Sequence, residues 1–274
     1  MSRLRRGFAE RSIASLAEAL EHALAADESA RAPGLLQSLD ARVKLAGIVA
    51  LIVAAAMARR LWVLAALLAI SVALAALSRV SFRVLAKRVW IVVFVFTALI
   101  ALPAPFITPG RTVAQLPLLG WPVSAAGLTS AAYLILRVET AATFSALLVL
   151  STPWGQLLKA LRVLRTPVVL VVILGVTYRY VFLLLQSAVE MFESRQSRMV
   201  GALSGADRRR VAASTAGVLM SKSLQLSSEV YSAMLSRGFS GEVYSLSDFE
   251  ARRIDWLALA AFGALTAAAL WLGR

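Results

Sequence analysis

The sequence has no cysteine and a single histidine among its 274 residues. Without cysteine the chain can form neither a disulfide nor a thiolate metal site. One histidine, His22, leaves too few nitrogen ligands for a metal cage built from protein side chains. We therefore expect neither a bound metal nor a cofactor in this chain.

Acidic residues are also scarce. The chain has 15 Asp and Glu but 29 Lys and Arg, so its net charge is +14. Hydrophobic residues make up 59% of the chain, whereas soluble domains average roughly 45–50%. This composition is typical of a polytopic membrane protein whose Lys and Arg lie in cytoplasmic loops beside anionic lipid. No basic module interleaved with aromatic residues occurs, so we expect membrane lipid, and no nucleic acid, as a partner.

The common catalytic motifs are absent as well. The sequence contains no G-x-x-x-x-G-K-[ST] phosphate loop, so we do not expect this chain to hydrolyse ATP. Neither H-E-x-x-H nor G-x-S-x-G occurs. These absences favour a protein that is not an enzyme by itself.

Long apolar segments make up most of what is present. A membrane-spanning helix needs about 20 apolar residues, and a periodic apolar stripe in residues 11–27 predicts an amphipathic helix on the membrane surface. The segments predicted to span are 43–58, 61–78, 89–108, 127–150 and 254–272.

The distribution of Lys and Arg gives the orientation. Basic residues are dense before the first span, at 79–88 and at 159–165, which places these regions and the N-terminus in the cytoplasm. The apolar segment 167–186 lies between two basic clusters, and one of them would be outside if the segment spanned. We therefore predict that 167–186 lies along the cytoplasmic face.

These patterns predict an all-α fold of about five transmembrane helices and three cytoplasmic-side helices, the latter at about 153–165, 167–201 and 211–238. The expected parts are an N-terminal amphipathic surface helix in 1–38, four transmembrane helices in 39–150, a cytoplasmic domain in 151–250 and a final transmembrane helix in 251–274.

Two ionisable residues lie inside the fourth predicted span. Arg137 and Glu139 are two positions apart, so they face different directions on a helix and each needs a partner from another helix or subunit. A buried polar brace and a direct role in a transport path are both open interpretations.

Two similar strings, Ser197-Arg198-Met199 and Ser236-Arg237-Gly238, end the last two predicted cytoplasmic helices, each near a glycine. Arginine at a helix C-terminus is favoured by the helix dipole, and Gly238 is a typical helix stop. Alternatively, each arginine docks into an acidic groove of one of two similar soluble partners. Arg195 shares a face with Arg198, and Arg237 has no such neighbour, so we expect unequal contributions from the two arginines.

Several strings resemble the transmembrane T component of energy-coupling-factor (ECF) transporters. They are Leu39-Asp40-Ala41-Arg42-Val43-Lys44-Leu45, where Ala41 replaces the usual proline, Ser151-Thr152-Pro153-Trp154, Ser194-Arg195-Gln196-Ser197-Arg198 and Ser236-Arg237-Gly238-Phe239. In the last two, serine stands where alanine is commoner. The N-terminal helix and Pro33-Gly34 are similar to the cobalt/nickel branch of this family, called CbiQ.

The resemblance implies a coupling subunit in the cytoplasmic (inner) membrane of a bacterium. Its expected partners are two ATP-binding-cassette ATPase subunits, which would carry Mg-ATP, and a substrate-binding membrane subunit. Arg198 and Arg237, assisted by Arg195, would meet the ATPases, and uptake of cobalt or nickel would follow. A vitamin-type substrate subunit, an intramembrane enzyme that uses Arg137 and Glu139, and a stand-alone secondary transporter are the alternatives.

Overall fold

The computed structural model describes residues 30, 34–109, 112–115, 122–164, 166–198, 204–240 and 253–274. The predicted N-terminal amphipathic helix, Met199 and Gly201 lie outside these residues. The chain divides into two compact units. The bundle unit holds the described residues up to Ala160 together with 253–274, and the helix-pair unit holds those from Leu161 to 240.

The described part of the chain is almost entirely helical, which confirms the predicted all-α class. The elements in chain order are α1 (Ala41–Met57), α2 (Leu61–Leu77), α3 (Phe82–Leu85), a π-helical turn (Ala86–Trp90), α4 (Ile91–Ala101), α5 (Ala104–Ile107), β1 (Thr112–Gln115), β2 (Pro122–Ser124), α6 (Ala125–Ser151), α7 (Trp154–Val163), α8 (Val168–Arg198), α9 (Gly205–Ser236) and α10 (Arg253–Leu272). The boundary between the two units falls inside α7, between Ala160 and Leu161.

Two local features differ from the sequence-based expectation. A short antiparallel hairpin of β1 and β2 occupies part of the Pro- and Gly-rich connection before α6, where no strand was predicted. The helix α9 begins at Gly205 and not at 211, because the Ser204 hydroxyl caps it by accepting the Asp207 N–H at 3.2 Å. The arginine-rich stretch 208–210 is therefore helical and not part of a loop.

The bundle core forms where α1 packs against α6 and α10, while α6 also contacts α2, α4 and α5. Gly47 of α1 leaves room for α10, because a Cβ atom at this position would lie 2.5 Å from the Phe262 ring. The buried apolar residues at the centre of this core include Ile48, Leu51, Leu64, Phe144, Leu147 and Phe262.

Length and composition make this chain a multi-pass membrane protein. Among the described residues, the helices Ala125–Ser151, Val168–Arg195 and Arg253–Leu272 are long and apolar enough to cross a membrane, and Leu61–Leu77 and Ile91–Ile107 are shorter apolar helices. The segment predicted to lie on the cytoplasmic face thus belongs to a helix that could also span, so that placement stays a prediction. The most apolar stretch of this helix is not buried within the chain, so lipid or another subunit must cover it.

Candidate functional site

The serine before each of the two arginines makes the same kind of hydrogen bond in the helix-pair unit. The Ser197 hydroxyl donates to the Ser194 carbonyl at 2.9 Å, and the Ser236 hydroxyl donates to the Ala233 carbonyl at 3.0 Å. Each serine thus turns back along its own helix, and the arginine after it is exposed. Below, Arg198 and Arg237, each with the serine before it, are called the two arginine tips.

Both tips lie at helix C-termini, where the unpaired carbonyls favour positive charge. Arg198 is the last residue of α8, and Arg237 is the C-cap of α9. Arg195, one turn before Arg198, is half-buried. Because the arginines of both tips are exposed, their guanidinium groups are accessible to a partner that carries carboxylates.

Gly238 ends α9, as expected from the sequence. Its φ is +79°, in the left-handed region that glycine adopts without strain. The Gly238 N–H donates to the Leu235 carbonyl at 2.9 Å, and the Phe239 N–H donates to the Met234 carbonyl at 3.0 Å. These two bonds form a Schellman motif, so the backbone that carries Arg237 is fixed on both sides of the tip.

The structure holds the two tips apart. The Lys222 ammonium of α9 donates to the Ser187 hydroxyl of α8 at 2.7 Å, which marks where the two helices cross. Arg198 lies about 16 Å along α8 beyond this crossing, at roughly 1.5 Å per residue. Arg237 lies about 22 Å along α9 on the other side of the crossing, by the same rise. The two exposed arginines of one molecule are therefore far apart along the helix pair, on opposite sides of the crossing.

An apolar groove lies between α8 and α9 on the Arg237 side of the crossing. Its volume is about 540 Å³. Phe239, directly after the helix stop, lines this groove together with Val230 and Met234. The α8 side of the groove is formed by Val169, Val172, Ile173, Val176, Thr177, Tyr180, Val181 and Leu184.

Arg137 has the partner that its position inside a span requires. It donates from Nη2 to the Ala58 carbonyl at 2.8 Å, and Tyr133, one turn earlier on α6, donates to the Arg59 carbonyl. Both carbonyls belong to the turn between α1 and α2, where helical hydrogen bonding ends. Arg137 therefore acts as a polar brace for this turn, which favours the first of the two interpretations for this residue.

Glu139 has a different environment. Its side chain is 7% exposed, and its Oε2 atom is buried without a hydrogen-bond partner. The residue lines an apolar cleft in the bundle unit. Arg137 and Glu139 thus face different surroundings, as their spacing predicts, and they do not form one site.

A buried charge cluster was missed by the sequence reasoning. Lys44 is fully buried in α1, and its ammonium donates to the Ser151 carbonyl at the end of α6 at 3.0 Å. The Asp40 N–H donates to Asp255 Oδ1 at 2.7 Å, and both carboxylates act electrostatically on Lys44. Two features of the sequence pointed to this cluster. Asp40 and Lys44 are four positions apart, which is about one helical turn, and Asp255 lies at the start of the predicted span 254–272.

Three helix ends therefore meet at this cluster. Asp40 caps α1 by accepting the Arg42 N–H at 2.8 Å, Ser151 ends α6, and Asp255 lies in the first turn of α10. A cation near a helix C-terminus and carboxylates near helix N-termini each match the local dipole. The cluster lies directly before Trp154, where α7 begins.

Metal ligands are not gathered in the described residues. No group of three or more His, Cys, Asp or Glu side chains lies close enough together there to hold a metal ion.

Several helices that are long and apolar enough to cross a membrane, together with buried polar braces, define an integral membrane protein. Residues 34–246 match the family model of the cobalt transport protein CbiQ, and the chain belongs to this family. It is 34% identical over 218 residues to an uncharacterized protein of Methanocaldococcus jannaschii, which covers 78% of this chain and 74% of that protein. It is also 32% identical over 157 residues to the cobalt transport protein CbiQ of Rhodobacter capsulatus, which covers 56% of this chain and 63% of that protein.

We predict that Lys44→Met lowers the free energy of unfolding by about 2 kcal/mol, because the Ser151 carbonyl loses a charged donor inside the bundle. The matched control is Lys87→Met, which removes an exposed lysine from the same unit. Thermal unfolding of the purified proteins in one detergent measures the difference. Equal unfolding midpoints for the two variants would show that the buried ammonium contributes nothing.

We also predict that Gly238→Ala strains the end of α9 by about 1–2 kcal/mol, because an L-residue must adopt the left-handed conformation. Gly217→Ala is the control, since a Cβ atom at that position of the same helix meets no other atom within 4 Å. Amide hydrogen exchange at residues 238 and 239 should accelerate in the first variant only. Unchanged exchange at these two amides would contradict the assignment of the helix stop.

Proposed function

We propose that this chain is the transmembrane coupling subunit of an ATP-driven uptake transporter of the energy-coupling-factor type, with cobalt or nickel ions as substrate. Family membership supports a membrane component of cobalt transport. In this proposal the chain lies in the cytoplasmic (inner) membrane of a bacterium, its N-terminus is cytoplasmic, and it catalyses no reaction itself. Two ATP-binding-cassette subunits bind and hydrolyse Mg-ATP.

The observation that carries the proposal is the pair of arginine tips. Two exposed arginines follow serines with the same hydroxyl-to-carbonyl bond, at the C-terminal ends of two long helices. Helix-end capping explains each arginine separately, but it does not explain why a Ser-Arg pair occurs on both sides of one crossing. Two identical ATPase subunits offer two identical acidic grooves, and each groove takes one tip.

The long helices supply the mechanical connection. An arginine held in a groove makes charge-assisted hydrogen bonds of about 1.5–3 kcal/mol each, so a tip follows its groove when ATP binding draws the two ATPases together. Because α8 and α9 are hydrogen-bonded at Ser187 and Lys222, displacement of either tip acts on the crossing. Movement at the tips therefore changes the orientation of the apolar groove between the two helices.

The apolar surface of the helix pair is the binding site that we assign to a third partner. The α8 stretch that lines the groove is not buried within the chain, and hydrophobic association needs no particular direction. We assign this surface to the substrate-binding membrane subunit, which carries the metal. The movement of the helix pair is transmitted to that subunit and alternately opens and closes its site.

Cobalt uptake by cells that express the chain with its neighbouring transport genes tests the proposal. We predict that Arg198→Ala combined with Arg237→Ala abolishes uptake and releases the ATPases during purification, while the chain still inserts into the membrane. Each single substitution should weaken the complex, and the two effects should be unequal because Arg195 lies one turn behind Arg198 alone.

The matched control is Arg83→Ala combined with Lys87→Ala, which removes two exposed positive charges from the bundle unit and should leave uptake unchanged. Full uptake by the double tip variant would contradict the proposal. Uptake that persists after deletion of the ATPase genes would point instead to a stand-alone transporter.

A further inference from the structure

Three hydrogen bonds hold the short turn between α1 and α2. The Arg137 guanidinium donates to the Ala58 carbonyl at 2.8 Å, and the Tyr133 hydroxyl donates to the Arg59 carbonyl. The Arg59 N–H donates to the Gly273 carbonyl, also at 2.8 Å. The turn is thus tied both to α6 and to the end of α10, so its backbone has little freedom to move.

The contact with α10 places this turn at a membrane surface. The helix Arg253–Leu272 has 20 residues and is about 30 Å long, which matches the thickness of a hydrocarbon core. Gly273 directly follows this helix, and its carbonyl accepts the Arg59 N–H. Arg59 therefore lies at the level where α10 leaves the hydrocarbon. The Lys44 cluster lies at the opposite end of the bundle, because Asp255 is about 27 Å from Gly273 along α10.

The turn carries two exposed arginines, Arg59 and Arg60, and the neighbouring sequence offers them no carboxylate. No Asp or Glu occurs between Asp40 and Glu139. Asp40 lies at the far end of α1, about 28 Å along the helix, and Glu139 is buried. Arg60 is the N-cap of α2, where the helix dipole disfavours positive charge, so helix capping does not account for it.

Two tryptophans lie at the same end of the bundle. Trp62, two residues after Arg60, is 51% exposed, and Trp271, two residues before Gly273, is 77% exposed. Exposed Trp rings of membrane proteins are enriched at the level of the lipid headgroups, because the ring is apolar and its N–H is polar. The two rings therefore indicate that the arginines between them lie among headgroups.

An exposed apolar stripe on α1 leads towards the same turn. Its members are one helical turn apart, and each is at least 46% exposed. They are Val49, Val53 and Met57. Acyl chains cover apolar surface of this kind inside a membrane, whereas a phosphate group pairs with the planar fork of an arginine. A phospholipid carries an acyl chain and a phosphate in this order, so its chemistry matches the stripe and the turn together.

We propose that Arg59 and Arg60 bind the headgroup phosphate of an anionic phospholipid, with Trp62 and Trp271 beside it at headgroup level. Two positive charges without a neighbouring carboxylate favour a headgroup of net negative charge over a zwitterionic one. The three hydrogen bonds to the turn keep both guanidinium groups at the membrane surface. The site belongs to the bundle unit and depends on neither arginine tip.

Fluorescence quenching by brominated lipids tests the inference, and the absence of cysteine from the chain allows a single label. The full chain with Met57→Cys, labelled with bimane, is reconstituted into vesicles of dioleoylphosphatidylcholine. Brominated phosphatidylglycerol, or brominated phosphatidylcholine as the zwitterionic reference, then replaces increasing fractions of the host lipid. We expect phosphatidylglycerol to reach half-maximal quenching at a roughly tenfold lower mole fraction than phosphatidylcholine.

Variants of the turn then test the assignment of the two arginines. Arg59→Gln combined with Arg60→Gln should remove the preference, so that the two lipids quench at equal mole fractions. Arg59→Lys combined with Arg60→Lys keeps the charge but loses the planar fork, and it should retain part of the preference.

The matched control is Arg83→Gln combined with Lys87→Gln, which removes two exposed positive charges from the same unit and should leave the preference intact. The double tip variant should leave it intact as well, so failure of the coupling proposal is distinguishable from failure of this one.

Four results would overturn the inference. Equal quenching by the two lipids in the chain with the native turn would show that the turn does not select a headgroup. A preference that survives the double Gln variant of the turn would assign the headgroup to other residues. Displacement of phosphatidylglycerol by millimolar inorganic phosphate would indicate a site for a free anion. Absence of quenching by either lipid would show that a second copy of the chain covers the turn.

Discussion

The buried ammonium of Lys44 holds the end of α6 against the start of α1, and the rest of the bundle is arranged around this contact. It donates to the Ser151 carbonyl, while Asp40 and Asp255 bring the first turns of α1 and α10 to the same point. A fully buried lysine is tolerated only where its charge is compensated and its protons are accepted. Because α7 begins three residues after Ser151, the same contact fixes the end of α6 just before α7 begins.

The two units differ in how their polar groups and apolar surfaces are accommodated. In the bundle, polar groups satisfy backbone carbonyls at helix ends, as Lys44 does for α6 and Arg137 does for the turn after α1. In the helix-pair unit, the polar groups at the helix ends remain exposed and apolar surface is left uncovered. The bundle thus satisfies two of its helix-end carbonyls from within, whereas the helix pair leaves apolar surface available to a partner, as the proposed coupling role needs.

Much of the fold is predictable from the sequence because membrane insertion imposes simple rules. The apolar segments predicted the helices of the bundle, because backbone polar groups inside lipid must be paired within a helix. Gly238 was predicted to end α9 because few residues other than glycine adopt a positive φ without strain. The repeated Ser-Arg strings were visible as sequence, although their separation by the α8–α9 crossing was not.

The remaining features depend on contacts between distant residues. The sequence near 112–124 is rich in Pro and Gly and resembles a loop, yet part of it pairs as a hairpin. The basic run at 208–210 resembles a loop as well, but the Ser204 cap makes it helical. Lys44 entered the sequence analysis only as part of a string that resembles a family motif, and nothing local indicates that a carbonyl over 100 positions later accepts a hydrogen bond from it.

Native mass spectrometry of the chain purified gently from its own membranes tests the central claim most directly. The account predicts one copy of this chain with two ATP-binding-cassette subunits and one substrate-binding membrane subunit. A complex that lacks ATPase subunits, isolated from membranes that actively take up cobalt through this chain, would contradict the account.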